Sequence, residues 1–225
     1  MENTLNSGNP ELKPTYANNF DLMYERYFDD AGVISVGYFF KQITDPVFSQ
    51  SYQADYRGES VTVKSPLNGD NAWLQGVEFA TNSSFSFISE SLSDFGFNFN
   101  LTWMDSEMSI PNREDKVNIP RQADLLFNGS VYYEGYDFAA RIAINHKGSY
   151  IEDHGSNSSL DTYYGDYTSV DVSASYNLTD QAMIYIELNN LTDEPLQYYT
   201  GSIQRPNQIE YYGLRGQVGF KYDFF

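Results

Sequence analysis

Few residues in this sequence could carry reaction chemistry. The two histidines are His146 and His154, and the second closes the run Glu152-Asp153-His154. Such a run could hold a metal or move a proton, but the ligands are too few and lack the spacing of known sites, so it reads as a solvated loop. Cysteine is absent, which removes thiolate nucleophiles, disulfides and cysteine-ligated metals. No Gly-x-Ser-x-Gly occurs and no serine pairs with a histidine at an interpretable spacing. The reading is therefore not an enzyme, and it calls for no cofactor.

Binding chemistry is better represented. The long polar stretch 44–71 carries Tyr52, Tyr56, Arg57 and Lys64, and the stretch 191–207 carries Tyr198, Tyr199 and Arg205; ligand contacts are sought first in such loops. A second group, Arg141, Asp171, Glu187, Arg215, Lys221 and Asp223, alternates with apolar residues and falls on the wet face of strands. Thirteen Lys and Arg against 31 Asp and Glu give a net charge of −18, which argues against nucleic-acid partners. Triplets such as Asn100-Leu101-Thr102 match the glycosylation pattern, but some lie inside predicted strands and read as accidents of an Asn/Ser/Thr-rich chain.

The elements that must position these residues are strands. Twenty Tyr and 16 Phe with a mean hydropathy of −0.50 suit a sheet with one wet face and aromatic belts. No apolar run approaches the roughly 20 residues of a membrane helix. The start of the chain lacks the regions of a secretory signal peptide, so a membrane reading means a β-barrel whose targeting segment lies outside these 225 residues.

Alternation of period two runs through the chain. Residues 1–15 read as a loop with Pro10 and Pro14 as breakers. A strand from Tyr16 turns at Asp29-Asp30-Ala31-Gly32 into a return strand with Ile34, Val36, Tyr38 and Phe40 on its oily face. Further strands are predicted over about 73–87, from Phe95 to Trp103 after a turn at 91–94, from Leu125 to a turn at Gly135-Tyr136, from Phe138, from Thr168 to Leu178, and from Ala182 to Asn189. Long loops are expected at 44–71, 108–120, 150–165 and 191–207. The last strand, 212–225, sets Leu214, Val218, Phe220, Tyr222 and Phe224 against Arg215, Gln217, Lys221 and Asp223, and stops on Phe225. Four aromatics at a free soluble edge would invite aggregation, whereas an oily face meeting outer-membrane lipid has no such problem.

Connections alternate short and long, as in outer-membrane barrels with short periplasmic turns and long outer loops. On that pattern the C-terminus is periplasmic. Tyr27-Phe28, Tyr132-Tyr133 and Phe224-Phe225 fall near the short turns, and Trp103 and Tyr211-Tyr212 toward the loops, where aromatic girdles belong. About nine strands are predicted. An odd number cannot close a purely antiparallel barrel, and an open sheet in lipid leaves two rows of unpaired backbone groups. The fold expected is all-β, an antiparallel up-and-down transmembrane barrel portion, the C-terminal part of something larger.

Four segments resemble the C-terminal barrel half of TonB-dependent outer-membrane receptors. Asn9-Pro10-Glu11-Leu12-Lys13-Pro14 is similar to the family's N-P-x-L-K-P-E, with Thr15 in place of Glu. Gly76-Val77-Glu78-Phe79 resembles its G-V-E-L strand, Asn189-Asn190-Leu191-Thr192-Asp193 its N-L-x-D element, and 213–224 its closing strand, with Phe225 extra. The resemblance covers nearly the whole chain. It implies residues 1–225 of a 22-stranded barrel whose plug domain and early strands are absent here, and uptake of a scarce nutrient (a siderophore, haem, cobalamin or an oligosaccharide) driven through the TonB complex, which contacts the missing plug. It also implies that Phe220, Tyr222, Phe224 and Phe225 form an assembly signal read by the outer-membrane barrel assembly machinery. The competing readings are a passive porin or adhesin barrel and a soluble sugar-binding β-sandwich; the repeated long and short connections speak against the sandwich.

Overall fold

The computed structural model describes residues 4–28, 32–111 and 113–224. Among these the strands, in chain order, are β1 (Thr4–Asn6), β2 (Tyr16–Phe28), β3 (Gly32–Thr44), β4 (Val47–Tyr56), β5 (Glu59–Asn68), β6 (Asn71–Ser84), β7 (Phe95–Met108) and β8 (Leu125–Gly135). They continue as β9 (Phe138–Lys147), β10 (Tyr150–Asp153), β11 (Thr162–Tyr164), β12 (Tyr167–Thr179), β13 (Ala182–Asn189), β14 (Leu196–Thr200), β15 (Pro206–Glu210) and β16 (Arg215–Tyr222).

Nine of them form one sheet in the order β16-β13-β12-β9-β8-β7-β6-β3-β2, and every neighbouring pair is antiparallel. Register follows from alternation, because a slip of one residue would move a strand's whole oily set to the wet side. Two cross-strand rows show the separation. Leu22, Tyr38, Val77, Trp103 and Leu125 form one row. A row of the opposite face reads Glu25, Ser35, Ala80, Asn100, Asn128, Asn145, Ser169.

No element of the described chain packs on most of the apolar face. Leu22, Ile142 and Phe220 stand exposed, and Val218 is 79% exposed. Monomers in water rarely leave so broad an apolar surface bare. The outer edges of β2 and β16 are unpaired in this sheet.

The hydrophobic core lies at the end with long connections. Phe48, Ala72, Met108, Ile110 and Val117 form its centre, with Ile43, Leu67 and Ile119 packed around them. These connections are more ordered than the sequence suggested. The stretch 44–71 contains the hairpin β4–β5, paired continuously from Val47↔Asn68 to Tyr56↔Glu59. Its Gly58 and Pro66 look like breakers, but Gly58 sits in the tight turn at φ +83. Pro66 lies beyond the three residues of β5 that pair with β1, at an edge where a missing N–H costs no ladder bond. Residues 1–15 are likewise not all loop, since β1 runs parallel to β5. The stretches 150–165 and 191–207 supply a four-stranded sheet in the order β10-β11-β14-β15. The 108–120 connection holds no named strand, yet Ile110 and Val117 are buried in the core and Met108 bridges Val117.

Two strand ends also differ from expectation. β6 stops at Ser84, whose hydroxyl accepts the Ser86 N–H and starts a 3-10 turn over Phe85–Phe87; a second follows over Glu90–Leu92. β16 starts at Arg215 rather than 212, because Gly213 turns through φ +67 just before it. The predicted turn residues Asp29, Asp30 and Ala31, and the terminal Phe225, lie outside the described residues.

Met108 is 1% exposed, so Met108→Ala should destabilise this core by about 2–5 kcal/mol. Hydrogen exchange should quicken in β4 and β5 while the β8–β9–β12 ladder keeps its protection.

Candidate functional site

The polar face of the sheet is built from small neutral side chains with a few charges among them. Asn98 accepts a hydrogen bond from the Ser130 hydroxyl at 3.0 Å. Three glycines on this face each lie under the aromatic ring directly opposite: Gly76 under Phe39, Gly96 under Tyr132 and Gly219 under Tyr185. A Cβ at these positions would come within 2.5, 2.3 and 2.2 Å of those rings, so the rings lie flat along the wall and leave the space above it open.

A notch of about 330 Å³ opens in this face, lined by Glu134, Arg141, Ser173, Ser175, Tyr185 and Glu187 among others. Arg141 lies 5.3 Å from the Tyr132 ring centroid and 4.0 Å from Glu134, while Glu187 accepts from the Gln217 amide at 2.5 Å. Of the six charges predicted on the wet face, the fold therefore brings Arg141 and Glu187 together. Lys221 instead pairs with Asp223 at 3.4 Å, and Arg215 is opposite Asn189.

Asp171 has a positional role. Its carboxylate accepts from the Asn190 N–H at 2.8 Å and from the Asn145 amide at 2.9 Å. Asn190, buried and at φ 57, accepts the Glu194 N–H at 3.0 Å and donates to the Glu194 carbonyl at 3.1 Å. The Asn189-to-Asp193 segment is thus a pinned turn that aims the next connection. The Asn9-to-Pro14 segment is pinned in the same manner: Asn9 donates to the Pro66 carbonyl at 3.1 Å, and Asn68 bonds both the N–H and the carbonyl of Lys13.

Above the wall, tyrosines from two connections stack. Tyr150 and Tyr164 are parallel at 5.1 Å, Tyr164 meets Tyr198 edge-on at 5.0 Å, and Tyr163 stacks on Tyr199 at 5.2 Å. The Lys147 ammonium lies 4.0 Å from the Tyr164 centroid, within cation–π range. Burial, with the neighbouring phenols and Glu210 adding, pushes Tyr164 up to about 12, so its phenol stays protonated at physiological pH. Tyr198 and Tyr199 were visible in the sequence as loop candidates. Tyr150, Tyr163 and Tyr164 were missed, because only nonlocal pairing of β10, β11 and β14 brings them to the same place.

The other loop candidates are mostly structural. Lys64 pairs with Asp153 at 2.5 Å, and Arg205 donates to the Ser159 carbonyl at 3.0 Å. Arg57 lies over the Tyr56 ring at 5.2 Å, and Tyr52 is exposed.

Glu152-Asp153-His154 is not a solvated loop. Glu152 pairs with Arg121 at 2.7 Å and Asp153 with Lys64, whereas His154 is buried edge-on against Phe48. The three side chains reach different partners, and a register shift between Ile151 and Asp153 breaks the regular alternation of β10 there. Among the described residues no cluster of three or more metal-ligating side chains occurs. Beside His154, Arg113 and Asp161, each with a side chain 2% exposed, form a 2.5 Å ion pair, and Arg113 also reaches Asp115. Asp161 further accepts the Gly155 N–H at 2.9 Å. Neither His154 ring nitrogen has a hydrogen-bond partner among the described residues. His146 is on the apolar face, stacked on Phe127 at 5.1 Å and bonded to the Thr168 hydroxyl at 2.8 Å.

With this geometry in view, the family described as TonB dependent receptor-like, beta-barrel, matches residues 2–191. The chain belongs to that family. Its fold is similar to the copper transporter OprC (TM-score 0.67, 14% identity, covering 95% of this chain and 32% of that one). It is also similar to the siderophore receptor PirA from Acinetobacter baumannii (TM-score 0.64, 16% identity, covering 97% and 33%). A third likeness is to the ferric yersiniabactin uptake receptor FyuA from Yersinia pestis (TM-score 0.64, 19% identity, covering 94% and 30%). The chain spans about a third of the length of these structures. The family consists of transport receptors rather than enzymes and is one of the Gram-negative outer membrane.

Arg113→Met leaves Asp161 buried without its partner and should loosen the connections by about 3–5 kcal/mol. Burial holds His154 below its ordinary pKa of 6.5; Asp161 pulls it back up and Arg113 pushes it down again. The opened loops therefore bind more protons than the closed ones once the pH falls below about 6.5, and closure weakens with acid. Protection factors for hydrogen exchange, which correct for the intrinsic pH dependence, should fall over 108–120 and 153–161 between pH 7.5 and pH 5, and His154→Leu should remove that component.

Proposed function

We propose that this chain forms the C-terminal part of the barrel of a TonB-dependent outer-membrane receptor that takes up a scarce nutrient. The observation that carries this reading is the nine-stranded sheet itself: one face apolar and bare, the other lined with Asn, Ser and sparse charge, and both edges unpaired. Such a wall is stable in a bilayer when further strands complete the ring. The remaining strands, a plug inside them and the contact with the TonB complex would belong to the rest of the receptor. The family match and the neighbours named as copper and siderophore proteins support uptake. A siderophore, haem, cobalamin and an oligosaccharide all remain within this reading.

In this orientation the short connections face the periplasm, together with Phe224, and the tyrosine-rich sheets face the medium, where ligand arrives. The exposed Phe220, Tyr222 and Phe224, with Phe225 after them, serve as the signal read by the barrel assembly machinery. Tyr222 and Phe224 support that role by standing edge-on at 5.0 Å, on the face that meets lipid.

Two outcomes test the reading in the full receptor. A membrane-impermeant maleimide should label Ser156→Cys on intact cells, and Tyr136→Cys, in a turn where Tyr136 is 100% exposed, only after permeabilisation; the reverse pattern overturns the orientation. Removing Phe224 and Phe225 should strongly reduce the heat-modifiable receptor recovered from outer membranes, and undiminished insertion would remove the signal role. Growth on single candidate nutrients, with and without the gene, then identifies the substrate.

A further inference from the structure

The short-turn end of the sheet carries a cavity of about 250 Å³ on its apolar face. Phe28, Gly32 and Phe97 line it from one cross-strand row, and Ile34 and Thr81 from the next. Gly32 is at φ +124, and a Cβ there would stand 1.9 Å from the Asn82 carbonyl oxygen, so that position admits no side chain. The other wall comes from the 3-10 turn Phe85–Phe87. Its Phe85 stacks on Phe97 at 5.4 Å, and its Phe87, 58% exposed, lines the cavity. The adjoining connection is long for a short-turn end, and it leaves Ile88 exposed beside Phe87.

Arg26 is at the rim. It belongs to the same row as Ile34 and Thr81, and its guanidinium lies 5.0 Å from the Phe28 ring centroid. Among the described residues it has no carboxylate within ion-pair distance. A guanidinium on a face that meets lipid is costly unless it reaches the headgroup layer and finds an anion there. An apolar slot continuous with the lipid-facing surface, with a cation at its mouth that no described carboxylate pairs, matches an amphiphile with an anionic head. We propose that this cavity holds an acyl chain of an inner-leaflet phospholipid whose phosphate is bound by Arg26.

The inference rests on the membrane orientation proposed above, and the test separates the two. The full receptor carrying this chain is purified from outer membranes in detergent, checked for heat-modifiable migration, and titrated with dioleoylphosphatidylglycerol under native mass spectrometry. A one-to-one adduct is expected. Arg26→Gln should weaken it about fivefold, the worth of one cation near an anionic headgroup, and Thr81→Phe, which fills the slot, should abolish it. Monoolein, which has the chain without an anionic headgroup, should bind wild type and Arg26→Gln equally. Glycerol 3-phosphate, which has the phosphate without the chain, should give no adduct. If Arg26→Gln binds dioleoylphosphatidylglycerol as tightly as wild type, or glycerol 3-phosphate binds as well as the phospholipid, the proposal is overturned. A receptor that reaches the outer membrane but forms no adduct overturns this proposal alone; one that never reaches it overturns the membrane reading as well.

Discussion

The ladder of backbone hydrogen bonds from strand to strand is the constraint on which the rest of this structure depends. In the outer membrane, where the family resides, no water reaches the hydrocarbon region to satisfy a stray N–H or C=O, so each must bond to the adjacent strand. The unbroken thirteen-residue pairing of β2 and β3 from Tyr16↔Thr44 to Phe28↔Gly32 meets that demand. So do the equally long pairing of β3 with β6 and the nearly continuous pairings that follow. Once the ladder is fixed, the pleat decides everything about sides: Leu22, Tyr38 and Val77 go one way, Glu25, Ser35 and Asn100 the other.

The same ladder explains why the hydrophobic core is not in the wall. A single sheet has no second layer to pack on, so its apolar residues remain on the outside. Burial is concentrated where the long connections fold over one another around Met108 and Phe48. There the chain behaves like a small water-soluble domain, with a packed centre and a buried Arg113–Asp161 pair holding distant loops together. Removing both charges could cost little, whereas removing one leaves the other desolvated, so the pair specifies how the loops close more than it stabilises them.

Inside the wall, glycine and aromatic residues are complementary. Gly76, Gly96 and Gly219 accept the rings of Phe39, Tyr132 and Tyr185 against the backbone, which keeps bulky residues from projecting into the interior. The polar surface that remains carries the Arg141 and Glu187 notch. The tyrosine cluster above offers flat aromatic faces and one cation, Lys147, in a chain that is otherwise strongly acidic.

The strand set was legible from residue type alone, because period-two alternation is local and the two faces of a wall meet different surroundings all along its length. Trp103, Val170 and Phe220 declare their side without reference to any partner. The short and long connections, the odd strand count and the four family segments were equally local signals. What the sequence could not reveal were features that need a partner far along the chain. The β4–β5 hairpin hid behind Pro66 and Gly58, which break a strand only when its edge is in use. His154 looked solvated because its burial depends on Phe48, Arg113 and Asp161, and Tyr164 gains meaning only beside Tyr150 and Tyr198. Alternation determined the wall, since each residue there answers to its surroundings one at a time. The cap and its buried charges were decided by tertiary structure, since a contact between loops exists only after the ladder has brought their ends together.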